Sequence, residues 1–112
     1  VCSSDLPADS SAAAIIADKL PNSTVVKAFN TSFSETLATK KVSNKHQTTV
    51  LLASDSQQAK EQIFRALEKS GLSLVDAGSL KRARELEALG FLQISLAASE
   101  KISWNGGFGL FK

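Results

Sequence analysis

The sequence predicts an α/β fold built around a parallel β-sheet. Three short apolar runs, at 24–29, 48–54 and 72–76, are rich in β-branched residues, and each is followed by a segment with helical spacing of apolar residues. Each connection holds a helix, which suits a right-handed crossover and is too long for a hairpin. We therefore expect the three runs to be parallel neighbours in one sheet.

Composition narrows the class of protein. The 112 residues are 43% hydrophobic and 21% charged, which is typical of one globular domain. A net charge of +2 is too small to indicate binding to nucleic acid or to an anionic membrane. The single cysteine, Cys2, excludes a disulfide framework and a Cys/His metal site, and no apolar run approaches the roughly 18 residues of a membrane span. We expect a cytoplasmic protein without membrane, nucleic-acid or metal partners.

The first half predicts a helix, a strand and a shorter helix. "AAAIIADKL" has apolar residues at helical spacing, with Ser10 or Ser11 as N-cap and Pro21-Asn22 as the end. "STVVKAF" is typical of a strand, and "SFSETLATK" predicts a short helix opened by Ser32 or Ser34. Residues 40–47 are polar and cationic, so we expect them to form a connection in solvent.

The second half repeats the pattern. "TTVLLAS" is almost continuously apolar, as in a strand covered on both faces, and Asp55-Ser56 is expected to cap the helix that ends at Gly71. "LSLVDAGS" predicts a third strand, and "SLKRARELEALG", residues 79–90, a further helix.

Polar residues follow each predicted strand. Ligands of open α/β sheets bind outside the carboxyl ends of the strands. This rule points to Asn30-Thr31, Ser54-Asp55 and residues 76–79 as one candidate site. Asn30 and Thr31 have an alternative role as helix caps, which their spacing alone favours.

Other polar and aromatic residues have simpler interpretations. His46 stands alone between lysines and is expected to be exposed, and Lys81 with Glu85 predicts an i,i+4 ion pair on a solvated helix face. Asp76 could contact a ligand, cap the next helix or accept local backbone hydrogen bonds. Trp104 is expected to serve packing or a subunit contact rather than ring stacking.

Three motifs in order give a resemblance to a known family. "LPNSTVVKAFNTSF", the segment from "VLLASDSQQAKEQ" through "VDAGSLKRARELEALG", and "KISWNGGFGLFK" resemble the second half of NADP oxidoreductases that use a deazaflavin coenzyme, coenzyme F-four-twenty. The likeness covers residues 12–112. It implies a Rossmann-like three-layer sandwich with a parallel sheet, of which this chain is the C-terminal half with the family tail. Residues 1–11 are then expected to be an unstructured N-terminal stub of unrelated, junction-like origin.

The resemblance also implies a reaction and a site. The reaction would be hydride transfer between NADP(H) and a deazaflavin or related acceptor, in a protein that could form a homodimer, with chemistry supplied by the cofactors. The residues implied beside the two rings lie in two segments, namely Ala28, Asn30 and Thr31 at the first strand exit, and Gly106, Gly107 and Phe108 in the tail.

One absence limits what the chain can do by itself. No G-x-G-x-x-G loop follows a strand in these 112 residues, and "NGGFG" at 105–109 neither follows an apolar strand nor precedes a helix. The sequence therefore does not indicate whether NADP or NAD is preferred. It also does not indicate whether this chain is active as an enzyme. The alternative function is a non-catalytic nucleotide-sensing or protein-interaction domain of the same fold.

Overall fold

The computed structural model describes residues 10–112, so most of the expected stub at 1–11 lies outside the described residues. Nine helices and strands and one 3-10 turn follow in chain order within this range: α1 (Ala12–Lys19), β1 (Val26–Lys27), α2 (Ser34–Thr39), β2 (Lys41–Val42), β3 (His46–Gln47), β4 (Thr49–Ser54), α3 (Gln57–Leu67), β5 (Ser73–Gly78), a 3-10 turn (Leu80–Arg82) and α4 (Ala83–Ala98). None of these helices is long and apolar enough to cross a bilayer.

The main sheet is mixed, which corrects the prediction of an all-parallel sheet. Its strand order is β1-β4-β5; β4 and β5 are parallel, as expected, but β1 is antiparallel to β4, with Val26 opposite Ser54 and Lys27 opposite Ala53. The α/β class is confirmed. The three-layer arrangement stays a prediction.

The antiparallel pairing has its cause in the connection between β1 and β4. Ser32 Oγ, just past β1, donates to Thr49 O at 3.4 Å, and Thr48 Oγ1 donates to Thr36 O of α2 at 2.6 Å. The chain therefore leaves β1 and enters β4 at the same end of the sheet. A parallel crossover would have to carry it back to the opposite end.

Residues 40–47 are mostly exposed to solvent, as expected from their polar sequence, but they form a hairpin that was not predicted. Strands β2 and β3 pair antiparallel, with Val42 opposite His46, and the turn between them has left-handed backbone at Ser43 (φ 54°) and Asn44 (φ 60°). Short polar residues tolerate this conformation. Two-residue strands with exposed side chains show almost no periodicity of apolar residues, so the sequence pattern did not predict the hairpin.

Strand β4 holds the centre of the core. Val50, Leu52 and Ala53 are fully buried. Since Leu52 and Ala53 are adjacent and point to opposite faces, both faces of β4 are covered, as its apolar run predicted. A second apolar cluster, made by Ala13, Leu80 and Ala83, joins α1 to the start of α4.

Helix boundaries follow the predicted caps in two cases and depart in a third. Ser11 Oγ accepts from Ala14 N at 3.0 Å, and Ser56 Oγ accepts from Ala59 N at 3.1 Å. Helix α2 begins at Ser34, one of the two predicted starting residues, but its N-cap is Phe33 and no side-chain hydrogen bond caps it. Gly71, with φ 87°, lies in the turn that follows α3.

Helix α4 continues to Ala98, beyond the expected end at Gly90. Gly90 is buried against the backbone of Asn30, and a Cβ there would lie 2.8 Å from Asn30 O. The glycine allows the helix to cross the end of β1 at close range, rather than ending the helix.

The register between β4 and β5 contains a bulge fixed by an ion pair. Leu52 lies opposite Asp76, but Ala53 lies opposite Gly78. Asp76 Oδ1 accepts from Gly78 N at 2.8 Å and from Lys60 Nζ at 2.9 Å. Of the roles considered for Asp76, the structure confirms local backbone hydrogen bonding.

The pKa of Asp76 lies below its ordinary value of 3.8. The main cause is the hydrogen bond from Lys60, with the Gly78 N–H and the Lys60 charge in support, while desolvation opposes them. Lys60 has a side chain only 7% exposed, and its Nζ also donates to Gly78 O at 3.2 Å. The carboxylate thus partners a cation that the fold has taken out of water.

We expect Gly90→Ala to destabilise the chain by about 1–3 kcal/mol, because the new Cβ would overlap backbone that cannot move freely. Without such contact, Ala in place of Gly stabilises a helix by about 1 kcal/mol. Urea denaturation measures the free energy of unfolding. Ser95→Ala, at an exposed position of the same helix, is the control and should change it by less than about 0.5 kcal/mol. A Gly90→Ala variant more stable than the original chain would contradict the close approach.

We expect Asp76→Asn to lower stability near neutral pH and to have no such effect in acid. Because the folded-state pKa of Asp76 is depressed, its ionised form stabilises the fold above pH 3.8, and this contribution disappears as the pH falls through the lowered folded value. Denaturation of both chains between pH 2 and 7 would show the two stabilities converging at the acid end. When Lys60 is replaced by Met in both chains, most of the stability difference that Asp76→Asn causes at neutral pH should vanish. An undiminished difference would mean that Lys60 is not its source.

Candidate functional site at the exit of strand β1

The antiparallel orientation of β1 separates the predicted strand-exit residues into two groups. Ser54 pairs with Val26, at the start of β1, and its Oγ donates to Val25 O at 2.8 Å. Asn30 and Thr31 lie at the other end of β1. The expectation that Asn30-Thr31 and Ser54-Asp55 share one edge of the sheet was therefore wrong.

Asn30 is hydrogen-bonded to helix α4. Its Nδ2 donates to Leu86 O at 2.6 Å, and its backbone oxygen faces Gly90. Its Oδ1 is buried with no hydrogen-bond partner. Preceding it, Phe29 has left-handed backbone (φ 67°), which turns the chain sharply as it leaves β1. The amide of Asn30 does not cap α2, so the simpler alternative suggested by its spacing is not what the structure contains.

Thr31 is hydrogen-bonded to a side chain of α4 that no sequence pattern indicated. Thr31 is 9% exposed, and its carbonyl oxygen accepts from Gln93 Nε2 at 3.1 Å. Gln93 is 1% exposed and belongs to the part of α4 beyond Gly90. No sequence pattern marks this glutamine, because both of its hydrogen-bond partners are backbone atoms.

The tail residues reach the same glutamine. Phe108 N donates to Gln93 Oε1 at 3.4 Å, and a Cβ on Gly107 (φ 150°) would lie 3.2 Å from that oxygen. Gly106 is buried and its N–H donates to Ser103 O at 3.0 Å. The structure thus brings the two segments implied by the resemblance to opposite ends of one carboxamide.

Two further contacts hold the tail. The Trp104 ring packs on Phe33 with centroids 5.0 Å apart, and Asn105 O accepts from Ser43 N of the hairpin at 2.7 Å. The packing role expected for Trp104 agrees with this contact, although 52% of the residue is exposed. His46 is exposed, as expected, with the Phe111 ring edge-on at 5.4 Å.

A shallow depression lies beside Asn30. It has a volume of about 270 Å³, and its lining consists of one amide, an ion pair and small or apolar residues: Ala12, Lys27, Asn30, Glu87, Gly90, Phe91 and Ile94. Glu87 accepts from the N–H groups of Ala12 and Ala13 at 2.7 and 3.1 Å, and Lys27 Nζ lies 3.5 Å from its carboxylate. Negative charge at the start of α1 suits the helix dipole. Ala28, half-buried, directly follows β1.

The opposite end of the sheet is organised by Asp55. Its Oδ1 accepts from Leu80 N at 3.0 Å, so Asp55 caps the 3-10 turn before α4, while Ser56 alone caps α3. Arg82, at the end of this turn, forms an ion pair with Glu85 in the first turn of α4, with a distance of 2.7 Å. The expected Lys81–Glu85 pair is not among the ion pairs of residues 10–112. These contacts stabilise helix starts and involve none of the residues of the β1 exit.

Comparison with known proteins gives a likeness of fold. No family model matches the chain. None of the curated proteins matches its sequence. Among solved structures, the chain is similar to a crystal structure from Arthrobacter sp. FB24, a protein provisionally assigned as an NADP reductase dependent on coenzyme F-four-twenty. The TM-score is 0.78 at 22% sequence identity, over 93% of this chain and 47% of that chain. This chain therefore has the fold of about half of that protein, in agreement with the resemblance that its sequence motifs indicated.

Proposed function

We propose that this chain is the C-terminal half of an NADP-dependent oxidoreductase that transfers a hydride between NADP(H) and a deazaflavin coenzyme or a related acceptor. The observation that carries the proposal is the convergence of the β1 exit and the tail on Gln93. Motif resemblance assigns these two segments, and no others in the chain, to the cofactor rings. Chance would not be expected to join them through one buried side chain.

The β1 exit fits a flat ring. The apolar side chains of Phe91 and Ile94 offer surface to a ring face, and Asn30 at the edge has a side-chain oxygen without a hydrogen-bond partner among residues 10–112. The depression of about 270 Å³ is below the roughly 300–1,000 Å³ of pockets for drug-sized ligands. It therefore suits one ring. The pyrophosphate and the second nucleoside would be bound by parts of the protein outside this chain.

The chemistry of such a reaction belongs to the two cofactors. When both are bound, a hydrogen moves with its two bonding electrons from a carbon of the reduced ring to a carbon of the oxidised ring, and no general base is needed. This chain would supply orientation. Ala28, Asn30 and Thr31 would fix one ring by backbone and amide contacts, and Gly106, Gly107 and Phe108 would close the site from the tail. A cytoplasmic homodimer is the setting that we infer for the whole protein.

Asn30→Leu should slow hydride transfer far more than it destabilises the fold. The substitution removes the hydrogen bond to Leu86 O, which contributes about 0.5–1.5 kcal/mol, and frees the β1 exit to move. A displacement of about 1 Å in an oriented site costs about a hundredfold in rate. Both quantities are measured on the full-length protein, by urea denaturation and by single-turnover kinetics.

Ser54→Ala is the matched control for Asn30→Leu. It removes two side-chain hydrogen bonds at the opposite end of the sheet, one donated to Val25 O and one accepted from Ser56 N. The expected loss of stability is at least as large, and the rate per folded molecule should be unchanged. Equal rates in the two variants would reject a cofactor role for Asn30. Absence of hydride transfer in the unmodified full-length protein would favour the non-catalytic nucleotide-sensing or interaction domain instead.

The 112-residue chain should bind NADP weakly or undetectably. The sequence has no glycine-rich loop at the start of a helix, which is the element that anchors a pyrophosphate through backbone N–H groups. Isothermal titration calorimetry tests this directly, with the full-length protein as the positive control. Micromolar binding of NADP by the 112-residue chain would contradict the proposal that the pyrophosphate is bound outside this chain.

A further inference from the structure

The side chain of Gln93 has a feature that a packing role does not require. It is 1% exposed in a helix, where burial of a carboxamide is costly unless both of its ends form hydrogen bonds. Both ends do so, with Thr31 O as acceptor at 3.1 Å and Phe108 N as donor at 3.4 Å. One side chain thus joins two segments that lie far apart in the chain.

No other hydrogen bond makes this connection. Across residues 10–112, none of the backbone hydrogen bonds runs directly between Asn30-Thr31 and Gly106–Phe108. Two contacts hold the residues just before Gly106: Trp104 packs on Phe33, and Asn105 O accepts from Ser43 N at 2.7 Å. Neither contact involves residues 30–31 or 106–108. The direct link between the two segments therefore runs through the carboxamide of Gln93.

Only certain side chains can satisfy both partners. A carbonyl oxygen needs a donor and an N–H needs an acceptor, and a glutamine amide provides one of each. An ionised glutamate provides acceptors alone. Gly107 completes the fit, because a Cβ there would lie 3.2 Å from Gln93 Oε1 and a larger residue would push the tail away.

We propose that Gln93 is a positioning residue that fixes the tail segment 106–108 against the strand exit at 30–31. The inference rests on the proposed function for its catalytic consequence, but the docking of the tail is measurable without any activity. The hydrogen bond to the tail is the longer of the two, and Phe108 is 48% exposed. Loss of Gln93 should therefore release the tail before it disturbs Thr31.

Hydrogen exchange by mass spectrometry on the full-length protein tests the docking. Gln93→Leu should make amides of the 103–111 peptide exchange about tenfold faster, with little change in peptides from β4. Gln62→Leu, an exposed glutamine on α3, is the matched control and should change neither. If the tail exchanges at the original rate in a folded Gln93→Leu variant, the proposal is overturned.

Gln93→Glu provides a test that survives poor folding of the leucine variant. When ionised, the new side chain presents a carboxylate to Thr31 O; when protonated, it again offers one donor and one acceptor. Phe108 N–H keeps an acceptor in both forms, whereas Thr31 O faces a donor only in the neutral form. Burial favours that form, so protection of the 28–33 peptide, relative to the original protein at the same pH, should recover as the pH is lowered toward about 5. Protection that does not depend on pH would overturn the role of the donor.

Single-turnover hydride transfer separates this inference from the proposed function. We expect the rate to fall by about tenfold to a hundredfold in Gln93→Leu, and to recover in Gln93→Glu at low pH together with protection of the 28–33 peptide. If the original protein transfers hydride and both variants match it, the positioning role is wrong and the function stands. If the original protein transfers no hydride, while Gln93 variants still release the tail, the function is wrong and the docking role stands.

Discussion

The fold depends on how helix α4 crosses the end of strand β1. Three residues spaced three apart on one face of the helix, Glu87, Gly90 and Gln93, make the crossing possible. Glu87 binds the start of α1, Gly90 removes the side chain that would hold the helix away from Asn30, and Gln93 binds Thr31. A buried polar group must find partners. These requirements fix both the rotation of α4 about its axis and its position along that axis. Apolar packing alone would restrict both less strongly.

The two ends of the sheet consequently serve different purposes. At the end formed by Ser54 and Asp55, side chains accept or donate hydrogen bonds that begin helices and pair strands. At the end formed by Asn30 and Thr31, the contacts run between distant segments, and one buried oxygen of Asn30 has no partner. Natural structures leave few such atoms unsatisfied, and those that remain tend to occur where binding or strain is required.

Sequence patterns predicted the elements that have strong local causes. The apolar run of β4, the serine caps of α1 and α3 and the parallel β4–β5 pair all follow from periodicity and capping chemistry. The orientation of β1 could not be predicted in the same way, because only Val26 and Lys27 pair and their direction is set by contacts of the connection that follows. The end of α4 was misplaced because a glycine ends helices more often than it lets another backbone approach.

The same limits explain which parts of the site were found. Asn30, Thr31 and the tail glycines were named through the resemblance of their motifs, and their proximity became visible only in three dimensions. Gln93 has no local motif. Its partners are backbone atoms, which leave no mark on the residue types at positions 31 and 108. A residue that recognises main chain is therefore hard to find from one sequence, however strongly the structure relies on it.

The bridge across Gln93 also has a consequence for the order in which the protein is made. Thr31 leaves the ribosome early, Gln93 much later and Phe108 after both, and contacts between such distant positions form late because the loop that joins them must first be closed. Until Phe108 has left the ribosome, the amide of Gln93 has only one of its two partners. Assembly of the β1 exit is thus coupled to synthesis of residues 106–108, which would keep a shorter nascent chain from displaying a finished site.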